Sequence, residues 1–547
     1  MKEFQISLEK AIKSTFDVDF TPEITPSPAN IEADFSTNAP LKLAKELHLA
    51  PMEIAQKLAT VLSGFTCTIT TPGFLNFTLS PEYLQSEITK LDQNYRENIS
   101  SDEYSGKTIV CEFSDPNPFK VLHVGHLYTS IVGDSISRLY EYAGAKVIRA
   151  NFGGDVGLHV AKTMYILLQK DVNDLTIEDI AKSYVEGTAA YEEDETAKRE
   201  ITKLNKEIYK INSENLHNSK LAEVYWKGRE LSYEYFNDFY AKIGVKFDKY
   251  YPESTVAKLG LETVKKELEA GVYEKSDGAV VFKGEPYGLH TRVFINKEGV
   301  PTYEAKDVGL IFTKDKDYHF DKSVVITGNE QSDYMKVVLK SVEQYAKELV
   351  EKTTHLTHGL VKLPGNVKMS SRKGNFLKAV DVLDMVNEEL KSSYNSTDEK
   401  VSLAATKYAF LKYRMGGDII FDPKESVKMT GNSGPYLLYS AVRAKKILSN
   451  CNNQTQIDEY IYNIYEKNII KKLLEYKNVL QESVAEMAPH KVANYLYELA
   501  QAFSRFYENC QVAGAKEESE RVKIVKVYLA IMTHGLNILG IEIPEEM

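Results

Sequence analysis

The sequence predicts an α/β protein built on a Rossmann-like parallel sheet, with a small α/β module before it, a helical insertion within it and an all-α bundle after it. Thr108 to Phe113 is apolar and β-rich. Asp115, Pro116, Asn117 and Pro118 break that run with turn chemistry, and from His123 the apolar residues Leu127, Ile131, Leu139 and Ala143 recur at helical spacing up to Gly144. KVIRANFGGDVG then reads as a second strand ending in Gly153, Gly154 and Asp155, and strand–helix–strand order implies a right-handed parallel crossover. Beyond about residue 395 the pattern is almost wholly of 3.6-residue apolar periodicity. A helix start at the carboxyl end of a strand is where open α/β sheets bind nucleotides.

A chain of 547 residues is too long for one core, so three or so domains are expected. The net charge of −11 argues against a generally adhesive nucleic-acid binder and leaves room for local basic grooves, which would bind a polyanion in a salt-dependent way. Four cysteines, at 67, 111, 451 and 510, have neither metal spacing nor a disulfide pattern. Cys67 and Cys111 lie in apolar strand-like runs and are expected in the core. This usage suits a reducing cytoplasm. No apolar run approaches a membrane span, and a start without arginine before residue 96 does not fit a transit peptide.

In order, residues 1–100 read as a separate α/β module. Phe4, Leu8, Ala11 and Ile12 form one face of a first helix, a second helical region follows, and two short strands flank Pro72-Gly73. Residues 101–394 carry the nucleotide fold, with a charged helical insertion over about 171–250 that connects its two halves. GVYEKSDGAVVF is a hairpin with Asp277-Gly278 at its turn, and VVITGNEQSDYM is a strand and helix start. Residues 395–547 are the helical bundle, beginning with the amphipathic stretch VSLAATKYAFLKYRM.

The chemistry concentrates in EFSDPNPFKVLHVGHL, Glu112 to Leu127. A helix N-terminus attracts anions through its unpaired N–H groups and dipole. His123 and His126 are three apart, so both project from the first turn and both can donate to phosphate oxygens. Gly125 lets a flat base or ribose approach the backbone. Two helix-start histidines beside a packing glycine would share this spacing.

HVGH resembles the HIGH signature of class I aminoacyl-tRNA synthetases, and the longer stretch is similar to its arginyl form. KMSSRKGN, Lys368 to Asn375, resembles the second signature, KMSKS, and brings Lys368, Arg372 and Lys373 to neutralise a departing pyrophosphate. The resemblance runs nearly the full length, from ADFSTNAPLKLAKEL near the start to GNSGPYLLYSAVRAKKIL near the end. It implies a class I synthetase with a tRNA-contacting N-terminal domain and a C-terminal anticodon-binding bundle, acting as an arginine–tRNA ligase. His123, Gly125, His126, Met369 and Ser370 would hold ATP. Glu112, Ser114 and Asn117 would hold the main-chain end of arginine. Tyr303, Asp307 and Gln331 would line the substrate pocket, and Asp307 gives a guanidinium its charge-assisted partner. Asp155 and Gly157 would line the site through the turn after the second strand. Tyr436, Tyr439, Arg443 and Arg505 would contact tRNA, with Tyr507 of similar character. ATP would carry its own Mg2+, with no dedicated protein metal site. The partners implied are tRNA(Arg), L-arginine and ATP, with activation expected once tRNA is present. No membrane partner is implied, and the expected state is a cytoplasmic monomer.

Three residues depart from the family pattern. Ser371 replaces the second signature lysine, and Lys120 is expected to supply the missing charge. Tyr128 stands where an arginine is usual, which allows only a local change in a tRNA or interdomain contact. Glu546 replaces a basic residue near the end. Another class I ligase, of the cysteinyl or methionyl type, is an alternative that often carries zinc-binding cysteines. A non-catalytic tRNA-binding paralogue is the other.

Overall fold

The structure, a computed structural model, describes residues 2–27, 31, 33–62, 65–365, 377–451 and 457–547. They form two compact units.

The first comprises Ser101–Tyr439, Glu482–Asn494 and His534–Met547. Its centre is a five-stranded parallel sheet in the order Thr353–His358, Lys322–Gly328, Thr108–Glu112, Lys146–Gly153, Lys249–Pro252. The chain starts at the middle strand, works outward to Lys249–Pro252, then returns to the other side at Lys322–Gly328. Strand order therefore reverses between Thr108–Glu112 and Lys322–Gly328, and the crevice beyond their carboxyl ends is the binding position of such sheets. The charged insertion forms helices Ile177–Glu193, Glu195–Ser213 and Lys220–Lys242, which lead back to the edge strand Lys249–Pro252. With Leu158–Leu167 they close over their own core of Val160, Met164, Ile180, Ile201, Ile208 and Tyr225.

The helix Val124–Tyr142 follows the first strand and is buried on nearly every face. Tyr128 belongs to this interior. It is 1% exposed, with its ring edge-on to His358 at 4.8 Å and tilted against Phe410 at 5.6 Å. Its departure from the family pattern is therefore a change in packing under the crevice, against Phe410 from beyond residue 395, which is the interdomain alternative and not the tRNA contact. The helix Glu399–Leu411, in the stretch expected to be amphipathic, is instead internal. Every position from Val401 to Leu411 is buried except Leu403, which is half-buried.

Asp155 also differs from expectation. Its carboxylate is fully buried and accepts from Ser254 N at 3.0 Å, Ser254 Oγ at 2.7 Å and Arg229 Nε at 3.0 Å. It ties the second strand to the insertion and to the next helix. Neither it nor Gly157 is among the described residues that line the crevice.

Helices Glu253–Glu269 and Tyr303–Tyr318 cross backbone to backbone. A Cβ at Gly260 would lie 1.8 Å from Ala305 O, and one at Gly309 would lie 2.2 Å from Val256 O. Only paired glycines permit this approach, which carries Lys306 and Asp307 to the sheet edge.

The second unit comprises Met1–Ser100, Ser440–Gln481 and Tyr495–Thr533. Its antiparallel sheet runs Thr25–Pro26, Phe35–Thr37, Phe74–Leu79, Phe65–Thr70. Leu8, Ile12, Leu43, Ile54, Leu58 and Phe77 form the core between sheet and helices. Cys67 is half-buried there rather than internal, whereas Cys111 is fully buried in the first unit. Asp34 accepts from Leu79 N at 2.7 Å and pairs with Lys471 at 2.8 Å, joining the sheet to a C-terminal helix within the unit. Phe503 stacks on Tyr528 at 3.9 Å, and the Tyr528 hydroxyl meets Ser440 Oγ at 2.6 Å.

Gly309→Ala should cost roughly 1–3 kcal/mol, because the added methyl has a backbone carbonyl, not a movable side chain, in its way. Denaturant unfolding of the whole chain checks this as a lower midpoint for the unit containing the parallel sheet. An unchanged midpoint would contradict the backbone contact.

Candidate active site

The crevice is a cavity of about 1090 Å³. Glu112, Ser114, Asp115, Asn117, His123, Gly125 and His126 line it from the first strand and helix start. Glu253, Arg292, Tyr303, Asp307, Gln331, Tyr334 and His358 line it from segments that follow the edge strand Lys249–Pro252.

The two histidines are fixed by each other's backbone. His123 is the N-cap, and its Nδ1 accepts from Gly125 N at 3.1 Å; His126 Nδ1 accepts from His123 N at 3.1 Å. The rings stack with centroids 3.8 Å apart. With each Nδ1 an acceptor, the proton of each neutral ring sits on Nε2, which is the donor the pair can offer. Burial, then the charge of Lys120, pulls His123 down to about 4. Burial, then His123, holds His126 well below its ordinary value. Gly125 serves the cap directly: a Cβ there would lie 2.9 Å from the His123 ring.

The segment that follows the second signature, from Leu377, is bound to this helix start. Val124 N donates to Leu377 O at 2.9 Å and Ala379 N to Leu122 O at 3.0 Å. Lys368, Met369, Ser370, Ser371, Arg372 and Lys373 themselves lie outside the described residues.

The crevice is acidic. Glu112 pairs with buried Lys314 at 2.6 Å, and Glu253 with buried Lys306 at 2.5 Å. Asp307 accepts the Tyr334 hydroxyl. Burial, against that hydroxyl's opposing effect and with the charges of Glu112 and Glu253, raises the Asp307 carboxyl to about 8. Tyr303 stands at the first turn of the same helix, half exposed, with Lys306 Nζ 5.0 Å from its ring centre. Ser114 Oγ meets the Tyr240 hydroxyl at 2.8 Å. Asn117 Oδ1 accepts from Gly154 N at 2.7 Å, so Nδ2 is the group it can present to a ligand. Gly154 allows this: a Cβ there would lie 2.7 Å from Asn117 Oδ1.

A second cavity of about 440 Å³ shares Asn117, His123 and His126 with the first. Its other lining includes Lys120, Lys182, Tyr184, Glu186 and Lys378. Lys120 Nζ lies 4.6 Å from the Tyr184 ring centre. The histidines thus stand between an acidic chamber and a basic one.

Of the residues expected from sequence, Glu112, Ser114, Asn117, His123, Gly125, His126, Tyr303, Asp307 and Gln331 meet in the acidic chamber, and Lys120 is in the basic one. Tyr436 and Tyr439 belong to the unit with the parallel sheet; Arg443 and Arg505 belong to the other, where the Arg443 guanidinium lies 4.7 Å from the Tyr507 ring centre. Tyr334, His358, Lys182 and Lys378 were not anticipated. Tyr334 follows Gln331 by three, which on a helix start is a shared face. Among the described residues no group of three or more His, Cys, Asp or Glu is disposed to hold a metal, and no helix is long and apolar enough to cross a membrane.

A parallel sheet with a capped histidine pair at its reversal point, bound to the flank of a second basic signature, defines a class I aminoacyl-tRNA synthetase. The family described as tRNA synthetases class I (R), catalytic domain, matches residues 88–416. The arginyl tRNA synthetase N terminal domain matches residues 2–79, and the DALR anticodon binding domain residues 437–547. An arginine–tRNA ligase of Treponema denticola is 30% identical over 509 residues, 87% of this chain and 85% of that protein. One of Flavobacterium psychrophilum is 27% identical over 593 aligned residues, 100% of this chain and 97% of that one. The solved arginyl-tRNA synthetase of Thermus thermophilus shares the fold, with a TM-score of 0.79 at 23% identity and 100% coverage of both chains. The chain belongs to the arginyl-tRNA synthetase family, and its activity is that of an arginine–tRNA ligase, which uses ATP.

Asp307 gives a pH signature. A guanidinium stays charged throughout the working range and needs the carboxylate form. Asp307 in its own surroundings is protonated below about 8, so a guanidinium placed there would have to expel a proton. The KM for arginine, measured with saturating ATP and tRNA, should fall up to about tenfold per pH unit from about pH 6 towards 8 and level off above. Asp307→Asn should raise KM and flatten that slope. An unchanged slope in the variant would refute this assignment.

Proposed function

We propose that arginine occupies the acidic chamber, that the β- and γ-phosphates of ATP extend into the basic one, and that the α-phosphate lies at the histidine pair between them. The observation that carries this is the sharing of Asn117, His123 and His126 by two cavities, one lined by carboxylates and the other by lysines. In the first step a carboxylate oxygen of arginine attacks the α-phosphorus in line. The bond to the bridging oxygen breaks, and pyrophosphate leaves with the electron pair. In the second step a hydroxyl of the terminal tRNA ribose attacks the arginyl carbonyl and AMP departs. The protein supplies position and charge, not covalent chemistry.

His123 and His126 donate from Nε2 to phosphate oxygens as neutral rings, so they bind without a change of protonation near neutral pH. Asn117 Nδ2 holds the substrate carboxylate. Asp307, with Tyr334 and Tyr303, takes the guanidinium, and Gln331 closes the pocket. Lys120, with Lys182 and Lys378 on the same chamber wall, neutralises the leaving pyrophosphate. It stands in for the lysine replaced by Ser371, beside Lys368 and Lys373 of the second signature. Met369 and Ser370 complete the ATP contacts. Magnesium enters with ATP as part of the substrate. Tyr436, Tyr439, Arg443 and Arg505 contact tRNA. The expected state is a monomer. The cytoplasm suits a chain without a disulfide framework.

Pyrophosphate exchange tests the whole reading: label should enter ATP only with arginine and its tRNA present. Lys120→Ala should slow exchange by roughly tenfold or more, the loss of one charge-assisted contact. If Lys120→Ala leaves the rate intact while Lys373→Ala abolishes it, the compensation is wrong. Asp307→Asn should erode the preference for arginine over citrulline, expected to be on the order of ten-thousandfold in the native protein. A variant that keeps the full preference would move the guanidinium elsewhere.

A further inference from the structure

Five carboxylates line the acidic chamber, from Glu112, Asp115, Glu253, Asp307 and Glu330, and of these only Glu330 is exposed to solvent. Two are already neutralised, Glu112 by Lys314 at 2.6 Å and Glu253 by Lys306 at 2.5 Å. Asp307 has a tyrosine hydroxyl. Asp115 accepts a backbone N–H, from Phe152 N to Oδ1 at 2.8 Å, and no ion pair with it occurs among the described residues. Of the four that are not exposed, Asp115 and Asp307 therefore stand without a cationic partner among the described residues. The substrate carries two cationic groups at opposite ends.

We infer that Asp115 receives the α-ammonium group of the amino acid while Asp307 receives the guanidinium. The inference deepens the reading given above and rests on it. Asp115 lies in the turn with Ser114 and Asn117, so it is at the main-chain end of the substrate. Its neighbours have committed the oxygens that an ammonium would need: Ser114 Oγ to Tyr240, and Asn117 Oδ1 to Gly154 N. Asn117 keeps a donor for the carboxylate, and Asp115 keeps an acceptor for the ammonium. The turn holds this aim at a conformational cost. Ser114 and Asp115 are both left-handed, with φ of 73° and 51°, a backbone state that persists in non-glycine residues where surrounding structure enforces it. Burial, and next the charge of Glu112, pushes the Asp115 carboxyl well above the usual range, as expected of an acid waiting for a cation.

A purely structural role is the rival reading, because Asp115 also straps the Phe152 N–H. Asp115→Asn separates the two, since an amide oxygen can still accept that N–H while the charge is gone. The probes are arginine and δ-guanidinovalerate, which is arginine without its α-amino group. With ATP and tRNA present, Asp115→Asn should raise the KM for arginine by roughly tenfold to a hundredfold and leave the inhibition constant of δ-guanidinovalerate unchanged. Asp307→Asn should weaken both. Equal weakening of both ligands by Asp115→Asn, or an unaltered arginine KM, overturns the inference. Wild-type protein that exchanges no pyrophosphate with arginine would instead overturn the functional reading beneath it.

Discussion

His123 and His126 cap one helix end by accepting each other's local backbone N–H groups, and the segment after the second signature is hydrogen-bonded to the same helix start. This reciprocal cap fixes the tautomer, because an Nδ1 engaged as acceptor leaves the proton on Nε2. It also fixes the protonation state, since a buried ring with a lysine nearby does not charge near neutral pH. The stacked rings can then act as two aimed neutral donors. Leu122–Val124 and Leu377–Ala379 being zipped together means that the chain leaves the segment bearing Lys368 and Lys373 at the same point of the sheet that presents the histidines.

Charge is segregated around that cap. On one side carboxylates crowd together, and on the other lysines do. Two unit charges about 4 Å apart interact by about 4 kcal/mol at an effective dielectric constant near 20, so an unpaired buried carboxylate must find a proton, a lysine or a ligand. Lys314 and Lys306 settle Glu112 and Glu253 permanently. Burial keeps the Asp307 carboxyl protonated up to about pH 8, and on the proposed reading a guanidinium would displace that proton. The lysine chamber answers the opposite need, charge released as pyrophosphate leaves.

The helix start at His123, the parallel crossover, the Asp277-Gly278 hairpin turn, where φ is 48° and 82°, and the N-terminal strand pair were legible because each is set by residues adjacent in sequence. The cavity-lining face shared by Tyr303 and Asp307 was legible because helical spacing alone brings them together. Long-range partners were not. Nothing near Glu112 announces Lys314, two hundred and two positions away, and nothing near Asp307 announces the hydroxyl of Tyr334. Asp155 looked like a site residue because its turn follows a strand end, yet three donors from elsewhere in the chain claim its carboxylate. Tyr128 was expected to alter a tRNA or an interdomain contact, and the structure uses its ring as packing beneath His358 and against Phe410. In each case a local pattern located the residue, while its partner depended on the return of a distant segment.

The most direct test of this charge segregation is a co-crystal structure with a non-hydrolysable arginyl-adenylate analogue. The account predicts the guanidinium against Asp307 and the phosphate mimic within hydrogen-bonding reach of His123 and His126 Nε2. The arginyl moiety seated instead among Lys120, Lys182 and Lys378, or the phosphate mimic remote from both rings, would contradict it.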